Sequence, residues 1–360
     1  MRTSRKQLAS LTWDALCEAF PESECTLDND TPERLAIRGI LSAQCTDTRV
    51  NLTCRDLFGK YPDLKGLSEA SEEEILKMWQ GLGYYSRARN LHQCAQQVAV
   101  RHHGAFPADY HKLLELKGIG SYTAAAIASI AFGLPYAVTD GNVYRVLSRL
   151  YDIETPINKN AGAKLFANLA DDLLDKKNPG RHNQAMMEFG ALFCTPRNPN
   201  CEQCPIQSHC LAFAHHTVEQ RPKKEKRQAV RTRYFTYLQF SDDNNNTYLH
   251  KREGKDIWEN LYDFPIIEST KPLSTEVVLD TEVFRDLVSE NDFVIQRISP
   301  SFTHKLSHQT IIAKFFIIKI NGFLSIIQTK NILLAREMDL GAFPVPKLIE
   351  NYLSQLSTTP

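Results

Sequence analysis

The feature that most constrains this chain is a run of four cysteines spaced Cys194-x6-Cys201-x2-Cys204-x5-Cys210. Four thiols within 17 residues, on a stretch rich in Pro and Asn, can wrap one metal centre. The other five cysteines, Cys17, Cys25, Cys45, Cys54 and Cys94, are scattered singly and read as small buried apolar residues. In a reducing compartment a tight cluster of this kind means metal rather than disulfides. Thiolate chemistry alone accepts zinc as well as iron–sulfur, although the x6, x2, x5 order is not a common zinc spacing. The loop reads as a folding and positioning element, since nothing beside it suggests substrate chemistry.

A chain of 360 residues has room for two domains, each with its own core. Lys plus Arg equals Asp plus Glu at 42 each, so net charge does not announce a polyanionic partner. Any nucleic-acid binding must come from local patches. No run of about 18 apolar residues is present, so no membrane span is expected. The N-terminal MRTSRKQLASLTWDALCEAF is a basic lead into an amphipathic helix without a secretory signal's apolar core, which points to the cytoplasm.

Up to about residue 215 the text reads as helix after helix. Apolar positions recur at three- and four-residue spacing over Glu74–Met78, Leu91–Val100, Thr123–Phe132 and Asn142–Tyr151. Gly and Pro punctuate these runs at Gly81-Leu82-Gly83, Phe106-Pro107, Gly118-Ile119-Gly120 and Leu134-Pro135. Residues 216–233 form a basic linker; VEQRPKKEKRQAVRTR carries seven Lys or Arg against two Glu. It reads as a solvated hinge or as a segment that touches phosphates. Beyond it, over 234–355, periodicity shifts to β-rich runs at Tyr234–Phe240, Asn246–Lys251 and Ile311–Ile320, with a helix near Thr281–Ser289. The expected organisation is therefore multidomain: all-α first, α+β second.

Leu116-Lys117-Gly118-Ile119-Gly120-Ser121-Tyr122-Thr123 is an apolar residue, a Gly-x-Gly turn and a new helix. The two glycines permit positive φ and close backbone approach, and N–H groups free at the helix start can bind a phosphate oxygen. A plain turn between packed helices is the alternative. The next segment, Val138-Thr139-Asp140-Gly141-Asn142-Val143-Tyr144-Arg145-Val146, sets a carboxylate before a helix. Asp140 can cap that helix. It can also face the sugar of an extruded nucleotide, where a nearby anion stabilises an oxocarbenium-like centre.

With these motifs in hand, the chain resembles the endonuclease III and MutY branch of the helix-hairpin-helix DNA glycosylases, over residues 10 to 320 or so. The hairpin, VTDGNVYRV and the cysteine spacing carry the resemblance. WQGLGYYSRARNLH (Trp79–His92) and NQAMMEFGALFC (Asn183–Cys194) are similar to the MutY family in particular. The resemblance implies a [4Fe–4S] cluster on Cys194, Cys201, Cys204 and Cys210, and Asp140 as the catalytic aspartate. It implies that Gly118, Gly120 and Ser121 contact DNA, and that Tyr84 wedges into the duplex beside the lesion. Gln44 would fill the space left by the flipped nucleotide. Tyr84 and Tyr85 have a second reading as core aromatics. Tyr122 stands where endonuclease III has a lysine nucleophile, so Schiff-base formation and strand cleavage are not expected. Asp140 and Tyr122 are the candidate catalytic residues. The C-terminal part resembles the family's Nudix-like, 8-oxoguanine-reading domain through Gly254–Pro265 and Phe302–His308; Ser307 and His308 match the lesion-reading loop, which also reads as a simple turn. No R-E-x-x-E-E box accompanies it. The implied partner is double-stranded DNA carrying a mispair or an oxidised base, bound by a monomer.

One helix departs from the MutY pattern. Arg34-Leu35-Ala36-Ile37-Arg38-Gly39-Ile40-Leu41-Ser42-Ala43-Gln44-Cys45-Thr46-Asp47 is similar to endonuclease III, and the glutamate that protonates adenine in MutY falls on Gly39 or Ile40. Neither donates a proton, and general-acid help is worth about 10²–10⁴ in rate. Three activities follow: a MutY-like adenine glycosylase with an unusual pocket, a glycosylase for mismatched thymine or damaged pyrimidine, and a lesion-binding protein with weak catalysis.

Overall fold

The computed structural model describes residues 31–42, 47–225, 231–322, 324 and 331–356; Gln44 lies outside the described residues. The chain divides into two compact units, residues 1–69 with 93–227, and residues 70–92 with 228–360.

The described part of the first unit is helical: α1 Pro32–Ser42, α2 Asp47–Lys60 and α3 Leu64–Glu69, then, after α4 Glu72–Met78 of the second unit and α5 Ser86–Arg101, which spans the division, α6 Tyr110–Leu114 and α7 Ser121–Ala126. The chain continues as a π turn over Ile127–Ala131, α8 Gly141–Leu150, α9 Asn160–Leu173, α10 Pro179–Leu192 and the short α11 Leu211–Ala214. Sequence punctuation sets many of these ends. Gly118 turns the hairpin at φ +80°, a left-handed conformation that glycine adopts without strain. Pro179 opens α10, where its missing N–H costs nothing. Val143, Val146, Leu147 and Leu150 of α8 share one core with Phe166 and Leu169 of α9 and Met186 and Phe189 of α10. Helices α8 and α10 cross so tightly that a Cβ on Gly190 would stand 2.6 Å from the Cβ of Asn142. The backbone of Asn142 presses on it as well, and only a residue without a side chain fits.

The expected helix over Thr123–Phe132 is helical throughout but changes type midway. Ser129 Oγ donates to the carbonyl of Ala125 at 2.7 Å and accepts from Asn183 Nδ2 at 2.8 Å, which accompanies the π turn.

The second unit is built on an eight-stranded mixed sheet with the path β3-β2-β1-β7-β5. Its strands are β1 Arg231–Ser241, β2 Asn246–Lys251, β3 Tyr262–Asp263, β4 Ile266–Ser269, β5 Asp292–Ile298, β6 Phe302–Lys305, β7 Gln309–Asn321 and β8 Ile332–Arg336. β1 and β7 run parallel in the centre, in register from Arg231↔Gln309 to Ser241↔Lys319. Alternation gives each face its own core. Leu238, Phe240, Phe316 and Ile318 pack with Phe284 and Leu287 of α13 (Glu282–Val288), which follows α12 (Thr275–Asp280). On the other face Phe315 stacks on Tyr352 of α14 (Lys347–Leu356), ring centroids 3.6 Å apart. Residues 70–92 belong to this unit: Tyr85 donates to the Val345 carbonyl at 3.1 Å and Tyr262 to Glu73 at 2.9 Å.

Basic residues at the start of the linker dock rather than float. Arg221 is 3% exposed and pairs with Asp152 and Glu154, and Lys223 reaches Glu154 at 3.1 Å.

Candidate active site

Asp140 is the N-cap of α8. Its Oδ1 accepts the Val143 N–H at 2.8 Å and its Oδ2 accepts from Asn142 Nδ2 at 2.9 Å. The cap is thus a half-buried carboxylate with each oxygen oriented by a donor. Burial raises its pKa above the ordinary value, against the opposing pull of these donors and of Arg145. Tyr122, on α7, is pushed up to about 12 by burial and then by the Asp140 charge, so the hairpin helix and the α8 cap share one electrostatic neighbourhood. Its hydroxyl touches Met187 Sδ at 3.9 Å.

The strand of chain leading to Asp140 hangs on Asn183. This residue, 2% exposed on α10, accepts the Val138 N–H at 2.9 Å and donates to the Tyr136 carbonyl and to Ser129. Behind α8, two buried arginines join the helix to the cysteine loop. Arg145 donates to the Cys194 carbonyl at 2.6 Å, to Gly190 O at 2.5 Å and to Asn142 Oδ1 at 2.8 Å. Arg149 donates to Thr195 O at 2.8 Å and to Cys194 Sγ at 3.3 Å. Asn142 therefore contacts Asp140 with one end of its amide and Arg145 with the other.

Cys194, Cys201, Cys204 and Cys210 line one largely apolar cavity with Phe189 and Phe193. Burial raises the thiols of Cys201, Cys204 and Cys210, Cys204 to about 11, so four thiolates need a cationic centre there. Four thiols around one largely apolar cavity are the donor set of a thiolate-ligated metal centre.

The hairpin differs from its expectation in one respect. Gly120 sits at φ −93°, ψ 179°, extended backbone open to any residue, and a Cβ there would meet nothing within 4 Å. Only Gly118 uses the left-handed region. Ser121 is exposed at the first position of α7. On α1, Gly39 faces Thr123: a Cβ would lie 3.1 Å from its Cγ2 methyl. An acidic side chain at 39 would have to displace that methyl.

In the second unit the paired tyrosines separate. Tyr85 is 2% exposed and is a core aromatic, whereas Tyr84 is 47% exposed, at φ +49°, with the Arg87 guanidinium 5.5 Å from its ring centroid. Ser307 and His308 are exposed at the tip of the turn joining β6 to β7, closed by the Leu306 N–H on the Gln309 carbonyl at 2.8 Å. Ser307 Oγ lies 3.3 Å from His308 Nδ1. The geometry is that of a tight turn with an accessible tip.

Three family descriptions match: HhH-GPD superfamily base excision DNA repair protein over 37–169, iron-sulfur binding domain of endonuclease III over 194–210, and NUDIX domain over 236–355. Among solved structures, a non-covalent endonuclease III–DNA complex aligns with TM-score 0.53 and 27% identity over 59% of this chain and 98% of that one. A thermostable thymine-DNA glycosylase aligns with TM-score 0.54 and 26% identity over 58% and 97%. The adenine DNA glycosylase of Buchnera aphidicola subsp. Baizongia pistaciae is 34% identical over 257 residues, 70% of this chain and 69% of that protein. The chain belongs to the adenine DNA glycosylase family. It is a DNA N-glycosylase that binds DNA and carries a [4Fe–4S] cluster, with a helical helix-hairpin-helix domain followed by a Nudix-like domain. None of its described helices is long and apolar enough to cross a membrane.

Within this glycosylase, Asn183, Arg145 and Arg149 are positioning residues that motif reading passed over. A signal for the arginines was present: charges at i and i+4 on the apolar stripe of NVYRVLSRL can stay buried only if fully hydrogen-bonded. Asn183 offered no comparable cue, because its partners Ser129, Tyr136 and Val138 all lie 45 or more residues before it.

Proposed function

We propose that the protein, acting as a cytoplasmic monomer, hydrolyses the N-glycosidic bond of adenine mispaired with 8-oxoguanine or guanine in double-stranded DNA. The observation that carries this is Asp140: a half-buried carboxylate with both oxygens oriented, on a rigid helix cap. Its anion is poorly solvated and so acts strongly on positive charge developing at the sugar. Gly118, Gly120 and Ser121 would hold a phosphate at the hairpin, Tyr84 would wedge into the stack, Gln44 would fill the vacated space, and Ser307 with His308 would read the lesion. Tyr122, a high-pKa phenol in the lysine position, supports hydrolysis without β-elimination. When bound, the iron–sulfur cluster ties the 194–210 loop together. The chain's own Arg145 and Arg149 then carry that loop's position to α8.

The Gly39–Thr123 contact favours a second reading. With glycine rather than an acid at 39, departure of a base as a stabilised anion, such as thymine or an oxidised pyrimidine, suits α1 better than departure of adenine. A third reading, lesion binding with weak catalysis, is the same protein with Asp140 idle. Purified protein incubated with duplexes bearing adenine opposite 8-oxoguanine, thymine opposite guanine, or an oxidised pyrimidine separates them by the abasic sites formed. Adenine release is expected; release of pyrimidine alone overturns the first reading, and tight binding without release supports the third.

A further inference from the structure

Beside the Ser307–His308 turn the second unit contains an open cleft lined by Arg89, Arg231, Lys255, Asp256, His308 and Gln309, among others. Its acids are already committed. Arg233 and Arg252 both bond Asp256, and although burial would raise that carboxyl, Arg233, the Ile257 N–H and Arg252 bring it down to about 2. Glu259 is held by Arg89 at 3.2 Å. Arg231 and Lys255, both exposed, have no ion-pair partner among the described residues.

The floor supplies an independent observation. Gln309 is 1% exposed, yet its Nε2 has no hydrogen-bond partner. A buried donor left unpaired costs about 1–3 kcal/mol, so it marks a place completed by something else. Arg231 and Gln309 are register partners across the parallel β1–β7 pair, so their side chains leave the same face of the sheet. A cleft that offers donors and uncommitted cations, with its acceptors spent internally, selects an anionic acceptor. Of the cleft residues named, only His308 carries an aromatic ring, and it stands exposed at the turn tip rather than on the cleft floor.

We propose that this cleft binds a backbone phosphate of the strand carrying 8-oxoguanine, with Arg231 and Lys255 as counter-charges and Gln309 as the buried donor. The assignment of the strand rests on the reading of Ser307 and His308 as lesion-contacting. Bound this way, the phosphate fixes how far the turn reaches toward the damaged base; phosphate contacts position while base contacts specify.

The test uses the full chain and duplexes with 8-oxoguanine opposite a non-hydrolysable 2′-fluoro-adenosine, with binding followed by fluorescence anisotropy across a salt series. Arg231→Gln with Lys255→Gln should lower the slope of log K against log salt by about 1–2 and weaken binding about tenfold, while Lys271→Gln, outside the cleft, changes neither. Single methylphosphonates stepped along the lesion strand should weaken the wild type at one or two positions and leave the double variant indifferent there. Gln309→Leu should weaken binding several-fold without altering the salt slope or the preference for 8-oxoguanine over guanine. An unchanged slope in the double variant, or methylphosphonate effects equal in wild type and variant, overturns the proposal. Loss of the 8-oxoguanine preference in Gln309→Leu moves that residue to the base and overturns its place here. Because binding is read without base release, failure to excise adenine would overturn the proposed activity and leave this cleft standing.

Discussion

The surroundings of Asp140 and the Ser307–His308 tip differ in how far their polar groups are already paired. Around Asp140, donors and acceptors are paired inside the protein: two donors on the carboxylate, three bonds from Asn183, and arginines locked onto loop carbonyls. At the tip, Ser307, His308, Arg231 and Lys255 are exposed, and Gln309 keeps an unpaired donor. Chemistry needs dipoles fixed before the charge appears, so that no reorganisation is required in the transition state. Recognition gains from groups that the free protein leaves unpaired, because binding DNA then satisfies them.

The largest test of this contrast removes a cluster ligand. Cys204→Ser should abolish the cluster's visible absorbance and iron content and unfold the 93–227 region, seen as lost hydrogen-exchange protection in α8 and α10; a folded, iron-free variant would uncouple the loop from the pocket. Next, Asp140→Asn keeps a good helix cap. It should slow single-turnover base release by about 10²–10³-fold with DNA affinity unchanged. Because burial raises Asp140 in the folded state, stability falls as pH rises from the ordinary carboxylate value through the raised one. Asp140→Asn should therefore match or exceed the wild type in melting at neutral pH. The wild-type rate should also fall on acidification beginning above the ordinary carboxylate range.

Asn183→Ala strands the buried Val138 N–H and should cost about 1–3 kcal/mol, read as a lower melting midpoint, with base release slowed as Asp140 loses its support. The smallest effect on the fold is at the tip. Ser307→Ala with His308→Ala should leave melting within about 0.5 kcal/mol of wild type while eroding discrimination between 8-oxoguanine and guanine. A large loss of stability there would erase the contrast between the two regions.

Local pattern carried much of this protein. Cysteine spacing, the Gly-x-Gly hairpin and the acid before α8 were legible because each depends on neighbours within one segment. The helix read over Asn142–Tyr151 is found at Gly141–Leu150, and the strand read over Asn246–Lys251 matches β2. β5, with its mostly exposed residues, and the short β3, β4 and β6 gave too little alternation to read. Helix type within Thr123–Phe132 depended on Asn183, far along the chain.

By itself the sequence determined a metal-binding loop, a helical then α+β order, and the position of Asp140, since residue type and short spacing decide those. Tertiary structure alone decided that Gly39 is crowded by Thr123, that Arg145 and Arg149 join the cluster loop to the helix that Asp140 caps, and that Arg231 lies beside Gln309. Each depends on segments distant in sequence meeting in one register, and no local pattern encodes which segments will meet. The four-cysteine loop shows both halves: spacing made it a metal site, but only packing made it the support behind Asp140.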